Sequence, residues 1–215
     1  MQTSMRVEDA LEKAIARAQE TGAPPRLASA LRYAVFPGGH RIRPQLVLAV
    51  ARACGDKDPA AADAAAAAIE LMHCASLVHD DLPCFDDADM RRAKPSVHLQ
   101  FGEPIAVLTG DALIILAFET LARGAKKSAS RMGSLLAILA DAVGSPNGIV
   151  AGQAWECEAA VSLSDYQRAK TGALFVGSTL AGAAAAGVDS APWRMLGEKI
   201  GEAYQVADDL RDVLC

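Results

Sequence analysis

Apolar residues recur at helical spacing along nearly the whole chain. Val7, Leu11, Ile15 and Ala18 form one stripe near the start, and Leu46, Val47 and Val50 form another after Pro44. Intervals of three and four place such residues on one face of a helix with 3.6 residues per turn. No segment alternates convincingly in the two-residue rhythm of a half-buried strand. Pro44, Pro59, Pro104, Pro146 and Pro192 each stand before a run of helix formers, where a missing N–H costs nothing. Gly22, Gly38, Gly39, Gly55 and Gly187 mark ends. This punctuation predicts about ten helices. Segments 60–80, 105–123 and 172–186 are apolar almost all round, which predicts that they occupy the centre of a helical bundle. The expected fold is all-α: one domain over residues 1–215, with no linker, repeat or low-complexity tail dividing it.

Composition narrows the function classes. A net charge of −5 offers no overall attraction for nucleic acid or an anionic membrane surface, so anion binding must come from local cationic clusters. The five cysteines are odd in number and lack metal-ligand spacing, and a chain of this length needs no disulfide staples. They read as the reduced thiols of a cytoplasmic protein. Residues 1–20 contain spaced charges and no apolar h-region, so no signal peptide is expected. The run 171–188 is uncharged, yet mostly Ala, Gly, Ser and Thr, which predicts a buried core helix and no transmembrane segment.

Two acidic clusters carry the candidate chemistry. The helix containing "AIELMHCASLVHDD" should end near Asp81 or Leu82, because Pro83 disfavours helix at the residue before it. Asp80 and Asp81 then sit at the partially negative end of a helix, where two carboxylates are unfavourable unless something positive binds. Asp86 lies past the proline, where a loop can fold it back toward Asp80. Such all-oxygen ligands suit Mg²⁺, which is commonly bound by one or two carboxylates plus substrate phosphates. In the second cluster, "ADDLRD", Asp208 and Asp212 are one helical turn apart on a helix with an apolar face at Ile200, Ala203, Tyr204 and Ala207. Across a bundle interior they could face Asp80 and Asp86.

Cations to match are nearby in sequence. Arg91 and Arg92 follow the first cluster, and "GGHRIRP" supplies Arg41 and Arg43 after a glycine pair. Arginine's planar fork suits phosphate oxygens, and Lys170 with Thr171 adds an ammonium and a hydroxyl. Asp87, Asp89 and Lys94 read as bystanders. Carboxylates, cations and apolar helices together describe a site for a molecule with a highly charged head and a greasy tail.

The segment 77–95 resembles the first aspartate-rich motif of trans-prenyltransferases (isoprenyl diphosphate synthases), DDxxxxD followed by RRxxP. "YQVADDLRD" looks like their second motif, and "GGHRIRP", "FGEPIAVLTGDAL", "GQAWE" and "KTGALF" match further blocks in order, from about residue 26 onward. The resemblance implies a helical isoprenoid-synthase fold, a homodimer, and Mg²⁺-dependent condensation of isopentenyl diphosphate with an allylic diphosphate. It implies that Asp80, Asp86 and Asp208 hold about three Mg²⁺ ions, with Asp81 and Asp212 in support. Arg91, Lys170, Thr171 and Gln205 would contact the allylic diphosphate, and His40, Arg43, His73 and Arg92 the isopentenyl diphosphate. His73 lies two helical turns before Asp80, which agrees with one shared cavity. The growing tail should run back along the same helix past Ser76 and Ala75. Both are small, so growth to geranylgeranyl diphosphate (C20) is expected, with farnesyl diphosphate (C15) or a non-catalytic partner subunit as alternatives. A terpene cyclase fits less well, because the second motif is aspartate-rich. Three family positions differ: His40 replaces the usual Lys, Ala93 the usual Gly, and Glu156 the usual Asp after "GQ". The chain stops three residues past Asp212, so C-terminal helices usual in the family are expected to be absent.

Overall fold

The computed structural model describes residues 2–214, with side chains described throughout except at 2, 127 and 211–214. Among the described residues the regular structure is helical apart from one small hairpin. Four helices open it: α1 (Gln2–Ala18), α2 (Pro25–Val35), α3 (Ile42–Ala53) and α4 (Pro59–Asp80). The hairpin, β1 (Met90–Arg91) and β2 (Lys94–Pro95), comes next. It leads into α5 (Val97–Phe101), α6 (Glu103–Gly124), α7 (Ala129–Val143), α8 (Ile149–Trp155) and α9 (Leu163–Gln167). A single π-helical turn at Arg168–Gly172 then runs into α10 (Ala173–Ala186), and α11 (Arg194–Leu214) closes the described chain.

Local chemistry sets these limits. Pro59 occupies the first turn of α4, and the Asp58 side chain accepts from the Ala61 N–H, so two of the orphan groups at that helix start are accounted for. The helix ends at Asp80, as Pro83 predicts, and α10 ends at Gly187 with φ +79°, a left-handed conformation that glycine adopts freely. Helix α4 packs on α1, α3, α6 and α10, and its alanines at 61, 62 and 64–68 are buried, letting neighbouring backbones approach closely. Leu11, Ile15, Ile69, Leu71, Met72 and Phe175 are among the fully buried large side chains. Each contributes roughly 1.5–3 kcal/mol by leaving water.

The buried positions of α4 and α10 agree with their all-round apolar character. Helix α6 differs: Val107, Leu108 and Ile115 are exposed, so it lies at the edge of the bundle with one apolar strip facing out. Both α4 and α6 are long and apolar enough to cross a membrane by length and composition, but 78% of the α4 window is buried inside the fold, against 39% for α6.

The hairpin also departs from the sequence expectation, since two-residue strands are too short to generate an alternating pattern. Arg91 pairs with Lys94, leaving Arg92 and Ala93 as the two-residue turn, with φ +54° and +59°. A turn with both central residues left-handed favours Asn-Gly, and an L side chain there costs about 1–2 kcal/mol. Glycine avoids that strain but loses more chain entropy, so Ala93→Gly should stabilise the fold by roughly 0.5–1 kcal/mol. A higher urea midpoint at unchanged slope is the expected reading; a lower midpoint would contradict it.

Candidate active site

A cavity of about 540 Å³ opens where the start of α3, the C-terminal half of α4, the hairpin, α8, the π-helical turn and α11 converge. His40, Arg43, His73, Ser76, Arg91 and Arg92 line it. So do Asp80, Lys170, Thr171 and Asp208. Leu77, Ile149 and Leu174 supply apolar wall.

The acidic side of the site forms because the chain turns back after α4. The Asp86 N–H donates to the Asp80 carbonyl at 3.0 Å, so the proline-broken loop returns Asp86 to the helix end. Asp80, Asp86 and Glu156 each present an oxygen, all within 4.8 Å of one another, and these three could hold a metal ion. Burial, and after it the Asp80 charge, pushes the Asp86 carboxyl above its usual range, a crowding that a bound cation would relieve. The Lys170 ammonium sits among them, 3.2 Å from Asp80 and 2.6 Å from Glu156. Although burial works against its charge, these carboxylates raise the Lys170 pKa. The Tyr166 hydroxyl donates to Glu156 at 2.5 Å, and burial together with that carboxylate pushes the phenol up to about 12.

Lys170 is placed by backbone packing. It lies in the π-helical turn, an irregularity that frequently marks functional sites. Gly152 of α8 rests directly on it: a Cβ at 152 would stand 2.4 Å from the Lys170 nitrogen. Without that glycine, α8 and the turn could not approach so closely.

The cations divide into two kinds. The Arg91 guanidinium hydrogen-bonds Asp81 through Nε and Nη2 and reaches within 3.9 Å of Asp80, so buried Asp81 serves to hold Arg91. The Arg43 guanidinium stacks over the rings of Phe175 and Tyr204 at 4.5 and 5.5 Å, and its buried Nε has no hydrogen-bond partner among the described residues. A buried N–H left unpaired costs about 1–3 kcal/mol, which an anionic oxygen in the cavity would recover. His73 lies among the arginines. Burial and the charges of Arg43 and Arg92 hold its imidazole well below the usual range, so at neutral pH it is uncharged.

Several residues sit elsewhere than the sequence suggests. Arg41 borders the cavity, but its guanidinium is committed to the fold: it is 4% exposed and bound to Glu8 at 2.9 Å, Glu70 at 2.7 Å and the Val35 carbonyl at 2.8 Å. Lys94 is no bystander, since its ammonium bonds the carbonyls of Tyr33 and Phe36. The Gln205 amide donates to Asp209 at 2.7 Å and Gln205 does not line the cavity. Ala75 is packed in the core, so of the proposed chain-length pair only Ser76 lines the cavity. The Asp212 side chain lies outside the described residues. Glu70 and Tyr166 escaped the sequence reading altogether, and Glu156 stood there only as a family departure. A carboxylate inside the apolar run of α4 was the available signal for Glu70, since buried acids need partners.

The sequence matches the polyprenyl synthetase family over residues 24–215. The chain belongs to that family. It is a prenyltransferase, similar at 60% identity over 215 residues to a geranylgeranyl diphosphate synthase of Cereibacter sphaeroides, covering all of this chain and 75% of that one. A geranylgeranyl diphosphate synthase of Rhodobacter capsulatus is 54% identical over 214 residues, covering all of this chain and 74% of the relative. Among solved structures, an FPP/GFPP synthase from Zymomonas mobilis superposes with a TM-score of 0.86 at 36% identity, covering 99% of this chain and 82% of that one. The prenyl synthetase fold expected from the motifs is thus borne out, with Asp80 of the first aspartate motif and the cations of three segments, the start of α3, the hairpin and the π-helical turn, on one cavity.

Proposed function

We propose that this polyprenyl synthetase condenses isopentenyl diphosphate with allylic diphosphates in a Mg²⁺-dependent reaction, ending at geranylgeranyl diphosphate (C20). The observation that carries this reading is the single cavity joining a carboxylate cluster, several cations and apolar wall. The all-oxygen donor set of Asp80, Asp86 and Glu156 fits Mg²⁺, with Asp208 of the second motif on the same cavity, and about three ions are implied by the family resemblance. When bound, Mg²⁺ neutralises diphosphate charge. Arg91, Lys170 and Thr171 would grip the allylic diphosphate and stabilise it as the C–O bond breaks. Arg43, Arg92, His40 and neutral His73 would hold isopentenyl diphosphate so that its double bond meets the allylic cation. The released diphosphate takes the proton lost in the final elimination, so no side-chain base is required. Leu77, Ile149 and Leu174 would keep water from trapping the cation.

The C20 product is supported by the names of the two relatives above and by the small Ser76 on the cavity wall. Incubation with labelled isopentenyl diphosphate, Mg²⁺ and each allylic diphosphate in turn should yield C20 chains, and Ser76→Phe should shorten them to C15. Wild-type product that stops at C15 would replace the reading by a farnesyl diphosphate synthase, and absence of any product would favour a non-catalytic subunit. We further propose a cytoplasmic homodimer, supported by the unpaired thiols and by the exposed α6 strip; a monomeric mass in solution would refute the dimer.

A further inference from the structure

Helix α2 ends in a way that leaves carbonyls to be satisfied. Arg32 accepts from the Phe36 N–H, but the next carbonyl, Tyr33, would take its helical bond from residue 37, which is a proline without an N–H. Lys94 of the hairpin fills this gap: its ammonium donates to the Tyr33 carbonyl and, at 2.8 Å, to the Phe36 carbonyl, while lying 3.8 Å from the centre of the Tyr33 ring. A cation at this position also suits the negative end of the helix. Tyr33 returns the contact, its hydroxyl donating to the Pro95 carbonyl at 2.8 Å. The hairpin is therefore clipped to α2 from both directions.

The clip matters unequally for the two arginines of that hairpin. Arg91 is independently fixed by its two-nitrogen grip on Asp81. Arg92 is held more weakly: its nearest carboxylate, Glu70, is 3.9 Å away, its other side-chain partner is the Cys74 thiol, a weak hydrogen-bonding group, and its backbone is left-handed at φ +54°. Where Arg92 points is thus governed by where the turn is held. Neither Lys94 nor Tyr33 lines the cavity.

We infer that Lys94 and Tyr33 are positioning residues for isopentenyl diphosphate, acting through the backbone of the 91–94 turn to aim Arg92 into the cavity. The inference rests on the proposed function, since it takes Arg92 to be an isopentenyl diphosphate ligand. It is tested by titrating isopentenyl diphosphate and, separately, an allylic diphosphate into the whole chain and into Lys94→Met, Lys94→Arg and Tyr33→Phe, alongside KM and kcat for both substrates. Lys94→Met should weaken isopentenyl diphosphate binding about tenfold and raise its KM in step, with the allylic constants and kcat moving by less than about threefold. Lys94→Arg should restore most of the loss, since a guanidinium also reaches two carbonyls. Tyr33→Phe, which removes one oxygen and is the milder test should Lys94→Met fail to fold, should shift the same constant by about two- to threefold. Unchanged isopentenyl diphosphate affinity in folded Lys94→Met and Tyr33→Phe, or equal losses for both substrates, overturns the inference while leaving the functional reading standing. Wild-type protein that binds no isopentenyl diphosphate overturns both.

Discussion

Replacing Glu70 by alanine should destabilise the fold by about 3–5 kcal/mol, measured by urea denaturation, a large part of the stability of an ordinary domain. Glu70 is 2% exposed and lies on α4, 2.7 Å from the equally buried Arg41 guanidinium. Arg41 also reaches Glu8 on α1 and the last carbonyl of α2, so one cation ties three helices and the loop before α3. Removing the carboxylate leaves that charge buried beside a void, and the cost arises mostly from the stranded guanidinium. The double change Glu70→Ala with Arg41→Met should therefore recover most of the loss, because the buried guanidinium is then gone as well and the remaining carboxylate, Glu8, is 40% exposed and can turn to water. A single-mutant loss below about 1 kcal/mol would mean that Glu8 alone suffices as counter-ion.

Asp80→Ala should have the opposite profile: turnover reduced about a thousandfold or more, with stability nearly unchanged. Its carboxylate belongs to the cluster with Asp86 and Glu156, so under the function proposed above its loss would remove one of three candidate metal ligands from the place where diphosphate charge would be neutralised. The fold tolerates the change because both neighbouring cations keep other partners, Lys170 with Glu156 at 2.6 Å and Arg91 with Asp81. A steady-state assay and a thermal melt on the same preparation check both halves. Turnover within tenfold of wild type would refute the assignment of Asp80.

The helical architecture was legible because it rests on repeated 3.6-residue spacing, a signal that accumulates over twenty residues in α4 or α10. The 90–95 hairpin has no such length to accumulate over, and the outward face of α6 carries the same residues that a buried face would. In the site, the two aspartate motifs and most of the cations could be read from their residue types. What could not be read is how each charge is spent. Arg41 and Arg43 are two residues apart in one motif, yet one is consumed by Glu8 and Glu70 while the other lines the cavity with a buried N–H that has no hydrogen-bond partner among the described residues. Lys94 was set aside because its purpose depends on Pro37, 57 residues earlier, lacking a proton to give.

The contact of Gly152 with the π-helical turn has a mechanical consequence. Glu156 and Lys170 come from segments that touch main chain to main chain there, with no side chain between them to act as a spring. The separation of the two main chains is consequently set by backbone against backbone, with a tolerance smaller than one methyl group, and only the side chains of Glu156 and Lys170 remain to adjust the ion pair.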